Sequence, residues 1–186
     1  MSKSGDRWVF GYGSLMWRPG FPFADKRAAV LYGKKRAFCI YSIYHRGAPG
    51  RPGLVLGLTS GGMVQGVAFK VAAADWEETY AYLLEREQPS ETYVEASAEV
   101  EFDDGSKVQA LVFFSDVLHP QWAGMLDLDE QARLIAGATG LSGRNIDYLR
   151  DLVAHLRVEG VPDPAMETLL QRAEALDPCA RVRTAA

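Results

Sequence analysis

Glycine-marked turns between β-rich runs constrain this 186-residue chain more than any other feature. Asp103-Asp104-Gly105 separates Tyr93–Phe102 from Lys107–Ser115, and Ser60-Gly61-Gly62 separates Leu54–Thr59 from Val64–Val71. Both read as hairpins, because glycine reaches the positive-φ conformations that tight turns demand. Trp8–Gly11 reads as a buried strand running into a Gly-rich turn, and Arg27–Ser42 as one long strand or a bent pair. His45–Gly53 (HRGAPGRPG) is too rich in Gly and Pro for regular structure. A single helix, Asp75–Glu87, is embedded among the strands, with Asp75 as its N-cap and Glu78 completing a capping box. No long helical crossovers join the strands, so the pattern predicts a mostly antiparallel sheet that is strongly curled or closed.

The last third reads as helical. Asp129–Ala138 forms one helix, with Asp127 or Asp129 near its start and Gly140 after it. Ser142 is placed to cap a second, carrying Ile146, Leu149, Val153 and Leu156 on one stripe and stopped by Gly160. Asp163-Pro164 restarts a third in the cap-then-proline order, with Met166, Leu169, Leu170 and Ala173 facing inward. Strands, one embedded helix, more strands and then terminal helices describe an α+β single domain over residues 1–186. Its core runs from about 8 to 176, between a polar leader (1–7) and a tail (177–186).

Composition narrows the function classes. A formal charge of −4 leaves no basic footprint for nucleic acid. No apolar run approaches the ~20 residues of a membrane helix, and MSKSGDRW lacks the apolar core of a secretory signal. Cys39 and Cys179, far apart and outside any pairing motif, could form one disulfide but read better as two thiols in a reducing cytoplasm. His45, His119 and His155 are scattered without ligand spacing, which speaks against a metal site. There is no G-x-S-x-G elbow for a nucleophilic serine. The composition carries no signal for oligomeric state.

Two features could carry chemistry. Trp76, Tyr80, Leu83 and Leu84 recur at core-facing helical steps. Glu87 lies eleven residues after Trp76, so at about 100° per residue it projects only about 20° from that Trp. A carboxylate on the apolar face, at the negative end of the helix dipole, is held nearer to the proton affinity of a general acid/base. Glu85 projects to the opposite side. On geometry alone, a frayed terminal glutamate in water is the commoner fate of such a residue. The second feature is Phe10-Gly11-Tyr12-Gly13-Ser14-Leu15, whose alternate glycines follow a strand and can expose successive N–H groups to an anion. Met16 stands where a dinucleotide fingerprint needs its third glycine, so a plain strand-ending turn is at least as good a reading of these residues. His45 and Arg46 in the Gly/Pro loop read first as solvated surface, though Arg is suited to gripping a carboxylate.

Together these segments resemble one family. Trp8–Phe21 (WVFGYGSLMWRPGF) is similar to the opening signature of the ChaC-type γ-glutamylcyclotransferases, and His45–Gly53 to their second signature. Arg86-Glu87 resembles the catalytic Arg-Glu pair, and Ser142–Leu149 (SGRNIDYL) the C-terminal helix. Four motifs in order cover about Trp8 to Leu170. The resemblance implies a small, mostly antiparallel β-barrel with flanking helices, the γ-glutamylcyclotransferase-like fold. It implies cleavage of glutathione to 5-oxoproline and cysteinylglycine without metal, nucleotide or other cofactor. It also implies Glu87 as acid/base, with Phe10, Gly11, Tyr12, Gly13, Ser14 and Leu15 around the γ-glutamyl group. Tyr93 is expected to donate a hydrogen bond nearby, as good a reading being a buried structural Tyr; His45 or Arg46 is expected to read the glycine end. Many relatives carry glycines shortly after the catalytic Glu, where this chain has Ser90 and Glu91. That departure leaves two alternatives open: another γ-glutamyl amine or peptide as substrate, or a non-catalytic module that binds an acidic metabolite.

Overall fold

The computed structural model describes residues 5–87, 92–177 and 179. Two compact units are interleaved along the chain: Met1–Lys35 with Leu58–His119, and Arg36–Gly57 with Pro120–Ala186. Strands β1 (Arg7–Gly11), β2 (Asp25–Ser42), β3 (Gly53–Val71), β4 (Tyr93–Phe102) and β5 (Lys107–Ser115) close into a barrel in the order β1-β3-β2-β4-β5. β1 runs antiparallel to β3, with Phe10 opposite Ala68, and β2 antiparallel to β4, with Ala29 opposite Phe102. The β4–β5 hairpin is paired from Tyr93↔Ser115 to Glu101↔Lys107 and turns at Gly105, whose φ is +79°. The closing β1–β5 seam is parallel (Trp8↔Ala110), which the long stretch of chain between those strands permits.

β2 is one unbroken strand of 18 residues. The Ser60-Gly61-Gly62 hairpin expected from sequence is not a hairpin: these residues lie inside β3, which continues for 19 residues. Gly61 and Gly62 adopt φ of +93° and +75° on an exposed stretch of that strand, in the left-handed region open to glycine. Positive φ is needed in both outcomes, which is why local chemistry alone pointed to reversal.

In the first unit α1 spans Trp76–Glu87. Asp75 does not serve as its N-cap. It belongs to a 3-10 turn, Ala73–Asp75, that leads straight into the helix, and its own N–H donates to the Ala72 carbonyl at 3.0 Å. Trp76, Thr79 and Leu83 are buried, whereas Tyr80 and Leu84 are half-buried. Phe10, Phe69 and Phe113 anchor the core of this unit, with Phe21 edge-on to Phe69 at 5.7 Å.

In the second unit α2 (Leu128–Gly137) starts at Asp127, whose carboxylate accepts from the Glu130 N–H at 2.8 Å. A two-stranded hairpin, β6 (Thr139–Gly140) and β7 (Gly143–Arg144), precedes α3 (Asn145–Val158). Ser142 therefore sits in the hairpin turn and caps nothing; Arg144 occupies the N-cap position without a side-chain bond. The Asn145 N–H, one of the open donors of the helix's first turn, is taken by the Ala138 carbonyl at 3.0 Å. α4 (Pro164–Leu176) is capped by Asp163, which accepts from the Ala165 and Met166 N–H groups at 3.1 and 3.3 Å. Ile135, Ile146, Leu149, Leu156 and Leu169 bury the facing sides of these helices. Residues 121–123 pair with the end of β2, an addition no sequence pattern announced: Tyr41 N–H donates to the Gln121 carbonyl and Ala123 N–H to that of Cys39, both at 2.8 Å. Among the described residues no helix is long and apolar enough to cross a membrane.

Candidate active site

Glu87 closes α1 two turns after Thr79 and one after Leu83, on the buried side of the helix. Its side chain is 19% exposed, whereas Glu85 lies in the open. Burial pushes the Glu87 carboxyl above the usual glutamate range, and the Arg86 guanidinium beside it pulls the other way. Arg86 Nε stands 3.2 Å from Glu87 Oε1.

The rest of the Arg86 guanidinium reaches the chain that follows β1. Nη2 donates to Ser14 Oγ at 3.0 Å, and Nη1 donates to the carbonyls of Arg18 and Pro19, the latter at 3.2 Å, and to the Tyr82 hydroxyl at 2.9 Å. Gly20, at φ +76°, lies so close to Tyr82 that a Cβ there would fall 2.1 Å from the hydroxyl oxygen. The C-terminal half of α1 is thus seated directly on residues 14–20.

That segment folds back sharply after β1. A single 3-10 turn, Ser14–Met16, is held by Met16 N–H donating to the Gly13 carbonyl and Arg18 N–H to that of Ser14, both at 2.9 Å. A Cβ on Gly11 would lie 2.9 Å from the Leu15 Cβ, so the bend needs glycine there. Phe10, Leu15 and Met16 are buried, which makes Phe10 a core side chain whose backbone alone could meet a ligand. The Tyr12 hydroxyl donates to the Phe113 carbonyl at 2.7 Å and ties the bend to β5. Gly13 and Ser14 are half-buried. Tyr93 is half-buried at the start of β4, opposite Ser115. Ser90 and Glu91 lie outside the described residues.

His45 and Arg46 belong to the second unit, where they are knitted to the β6–β7 hairpin. His45 Nδ1 stands 3.0 Å from Ser142 Oγ, and the His45 carbonyl accepts from the Ser142 N–H at 2.9 Å. Arg46 Nη1 donates to the carbonyls of Ser142 and Arg144 at 2.7 and 3.3 Å, and the guanidinium lies 5.2 Å over the Tyr148 ring. Asn145, fully buried, accepts from the Leu54 N–H and donates to the Leu54 carbonyl, each at 2.7 Å. A Cβ on Gly47 would fall 2.1 Å from the Gly53 nitrogen, and one on Gly140 would fall 2.3 Å from the Tyr44 carbonyl oxygen. The two glycine-rich motifs of this unit therefore interlock through close backbone approach. Among the described residues no cluster of His, Cys, Asp and Glu could hold a metal ion.

The structure thus brings Glu87 and Ser14 to one place through Arg86. The family resemblance named Arg86 beside Glu87 but gave it no separate task, and helical spacing added only that Tyr82 and Arg86 stand four apart, on one face of the helix.

A family model described as ChaC-like protein matches residues 7–176. The chain belongs to the ChaC-like family. Similar members include the glutathione-specific gamma-glutamylcyclotransferase of Escherichia coli (strain K12), 36% identical over 166 residues, spanning 89% of this chain and 72% of the relative. The glutathione-specific gamma-glutamylcyclotransferase 1 of Danio rerio is 37% identical over 164 residues, spanning 84% of this chain and 83% of that one. Among solved structures, a yeast gamma-glutamyl cyclotransferase specific to glutathione superposes with a TM-score of 0.80 at 22% identity, over 94% of this chain and 98% of the other. That last likeness is one of fold. The expected architecture of the ChaC-like chain, an α+β fold around a small closed barrel, is the one observed.

Proposed function

We propose that this ChaC-like protein is a γ-glutamylcyclotransferase that degrades glutathione to 5-oxoproline and cysteinylglycine in the cytoplasm. The observation that carries the reading is the Glu87 carboxylate, four-fifths withdrawn from water and paired at 3.2 Å with Arg86, which in turn donates to Ser14; burial there raises its proton affinity. The curated relatives named for this activity support the same reaction. Cys39, buried, and Cys179, exposed, are both thiols, in keeping with a reducing compartment.

The reaction is internal aminolysis. The substrate's α-amino nitrogen attacks its own γ-carbonyl carbon, forming the lactam C–N bond while the bond to the cysteine nitrogen breaks. Glu87 takes the proton that the attacking nitrogen must lose and gives one to the departing nitrogen, which leaves as a neutral amine. Glu87 returns to its starting state and no covalent intermediate forms. Nucleophile and electrophile already share one molecule, so holding the chain folded supplies an entropic advantage that can reach ~7–11 kcal/mol. We assign that task to the backbone of Gly11, Tyr12, Gly13, Ser14 and Leu15, around the α-carboxylate or the developing oxyanion. Tyr93 is assigned a hydrogen bond to the γ-glutamyl group, and His45 or Arg46 the glycine end.

Incubation with glutathione, followed by chromatography, should yield equimolar 5-oxoproline and cysteinylglycine. A parallel panel of γ-glutamyl amines and peptides measures the preference. Saturable glutathione binding by calorimetry without any 5-oxoproline would replace this reading with a metabolite-binding module.

A further inference from the structure

We propose that Arg86 is a positioning residue, which fastens the Glu87 carboxylate to the Gly11–Leu15 bend and so sets where the proton is exchanged. The inference rests on the reading of Glu87 as acid/base and deepens it. One planar group performs both halves of the task. Its Nε edge lies 3.2 Å from Glu87 Oε1, while its Nη atoms donate to Ser14 Oγ and to the Arg18, Pro19 and Tyr82 oxygens. The Arg86 side chain is only 20% exposed, so these contacts are partly shielded from water. Five donors in a rigid fork can serve a carboxylate on one side and a chain of oxygens on the other. A lysine ammonium could keep the charge but could not span both.

Charge gives the same residue a second consequence. Among the described residues, Arg86 is the charged group whose field acts on Glu87. On α1, Glu85 is exposed and the Tyr82 hydroxyl faces the guanidinium; on the loop, Ser14 and the Arg18 and Pro19 carbonyls do likewise, and the Arg18 side chain is exposed. On β4, Glu95 is engaged by the Tyr80 hydroxyl at 2.6 Å. Burial raises the Glu87 carboxyl and Arg86 restrains that rise. Removing the cation must therefore let it climb further.

The test compares wild type, Arg86→Gln and Arg86→Lys by two measurements. One is the pH profile of kcat/KM for glutathione. The other is a carbon-13 titration of the Glu87 carboxyl, identified by its absence in Glu87→Gln, which reads the same quantity without turnover. Arg86→Gln should shift both the acid limb of the profile and the carboxyl titration to higher pH, and lower kcat/KM roughly 100-fold, as expected when a reacting group is misplaced by about 1 Å. Arg86→Lys should leave the titration near wild type yet still lose about 10-fold or more in kcat/KM, because the fork is gone. An unmoved titration in Arg86→Gln, or wild-type kcat/KM in Arg86→Lys, overturns the role given to Arg86. Should Arg86→Gln fail to fold, the Arg86→Lys comparison decides alone. The Glu87 reading fails separately, on retained turnover in Glu87→Gln.

Discussion

Replacing Glu87 by Gln keeps the shape of the side chain and removes only its capacity to exchange a proton. The amide can still lie against Arg86, whose Nε is 3.2 Å from Glu87 Oε1, and the Arg86 bond to Ser14 does not involve the carboxylate, so it should survive. What is lost is general acid–base assistance, typically ~10²–10⁴ in rate. At 1.36 kcal/mol per decade this is about 3–5 kcal/mol of transition-state stabilisation. The entropic benefit of holding the substrate folded does not depend on the carboxylate, so residual turnover above the uncatalysed reaction is expected. The same substitution should stabilise the fold at neutral pH. The folded-state carboxyl is raised above its ordinary value of 4.5 by burial, so holding the ion works against folding. Below the unfolded value both states are protonated and the penalty is absent. As pH rises through the raised folded value, wild type loses stability that the Gln variant keeps. Initial rates of 5-oxoproline release, with thermal melts of both proteins at about pH 4 and pH 8, check both arms. Turnover within a few-fold of wild type, or a variant less stable than wild type at the higher pH, would refute the reasoning. Glu85→Gln, on the exposed side of the same helix, is the control and should be nearly silent.

Asn145→Ala should be destabilising, because it strips partners from both the N–H and the carbonyl of Leu54 at a fully buried position. Each orphaned group costs ~1–3 kcal/mol, so a loss of roughly 2–6 kcal/mol should appear in urea denaturation, and a loss below about 1 kcal/mol would contradict the clamp. Arg46→Ala should raise KM for glutathione while leaving that for γ-glutamylcysteine, which lacks the glycine, nearly unchanged; an equal change in both would remove the residue from substrate reading. It should also lower stability by about 1–2 kcal/mol, measured by the same denaturation, because two carbonyls lose a charged donor.

Much of this protein was legible residue by residue. The β4–β5 hairpin, the Asp163 cap, the start of α2 at one of two candidate aspartates, and the burial of Trp76 and Leu83 on α1 follow from interactions spanning a few residues, whose physics the local sequence contains. The same locality explains where reading failed. The Gly61-Gly62 pair suits positive φ whether the chain turns back or runs on as strand, and only the strand's neighbours decide between them. Ser142 is a fair N-cap by composition, yet it lies in the turn of the β6–β7 hairpin and the helix begins only after Arg144.

By itself the sequence determined that Glu87 shares a helical face with Trp76 and Leu83, because a 3.6-residue period is a property of the local backbone. That Gly11 must be glycine emerged only from the bend, where a Cβ would lie 2.9 Å from the Leu15 Cβ. Tertiary structure alone decided that Arg86 spans the gap between that carboxylate and Ser14, 72 residues away. A guanidinium's partners are chosen by what the fold brings within about 3 Å, and no pattern along one helix encodes which distant carbonyls those will be.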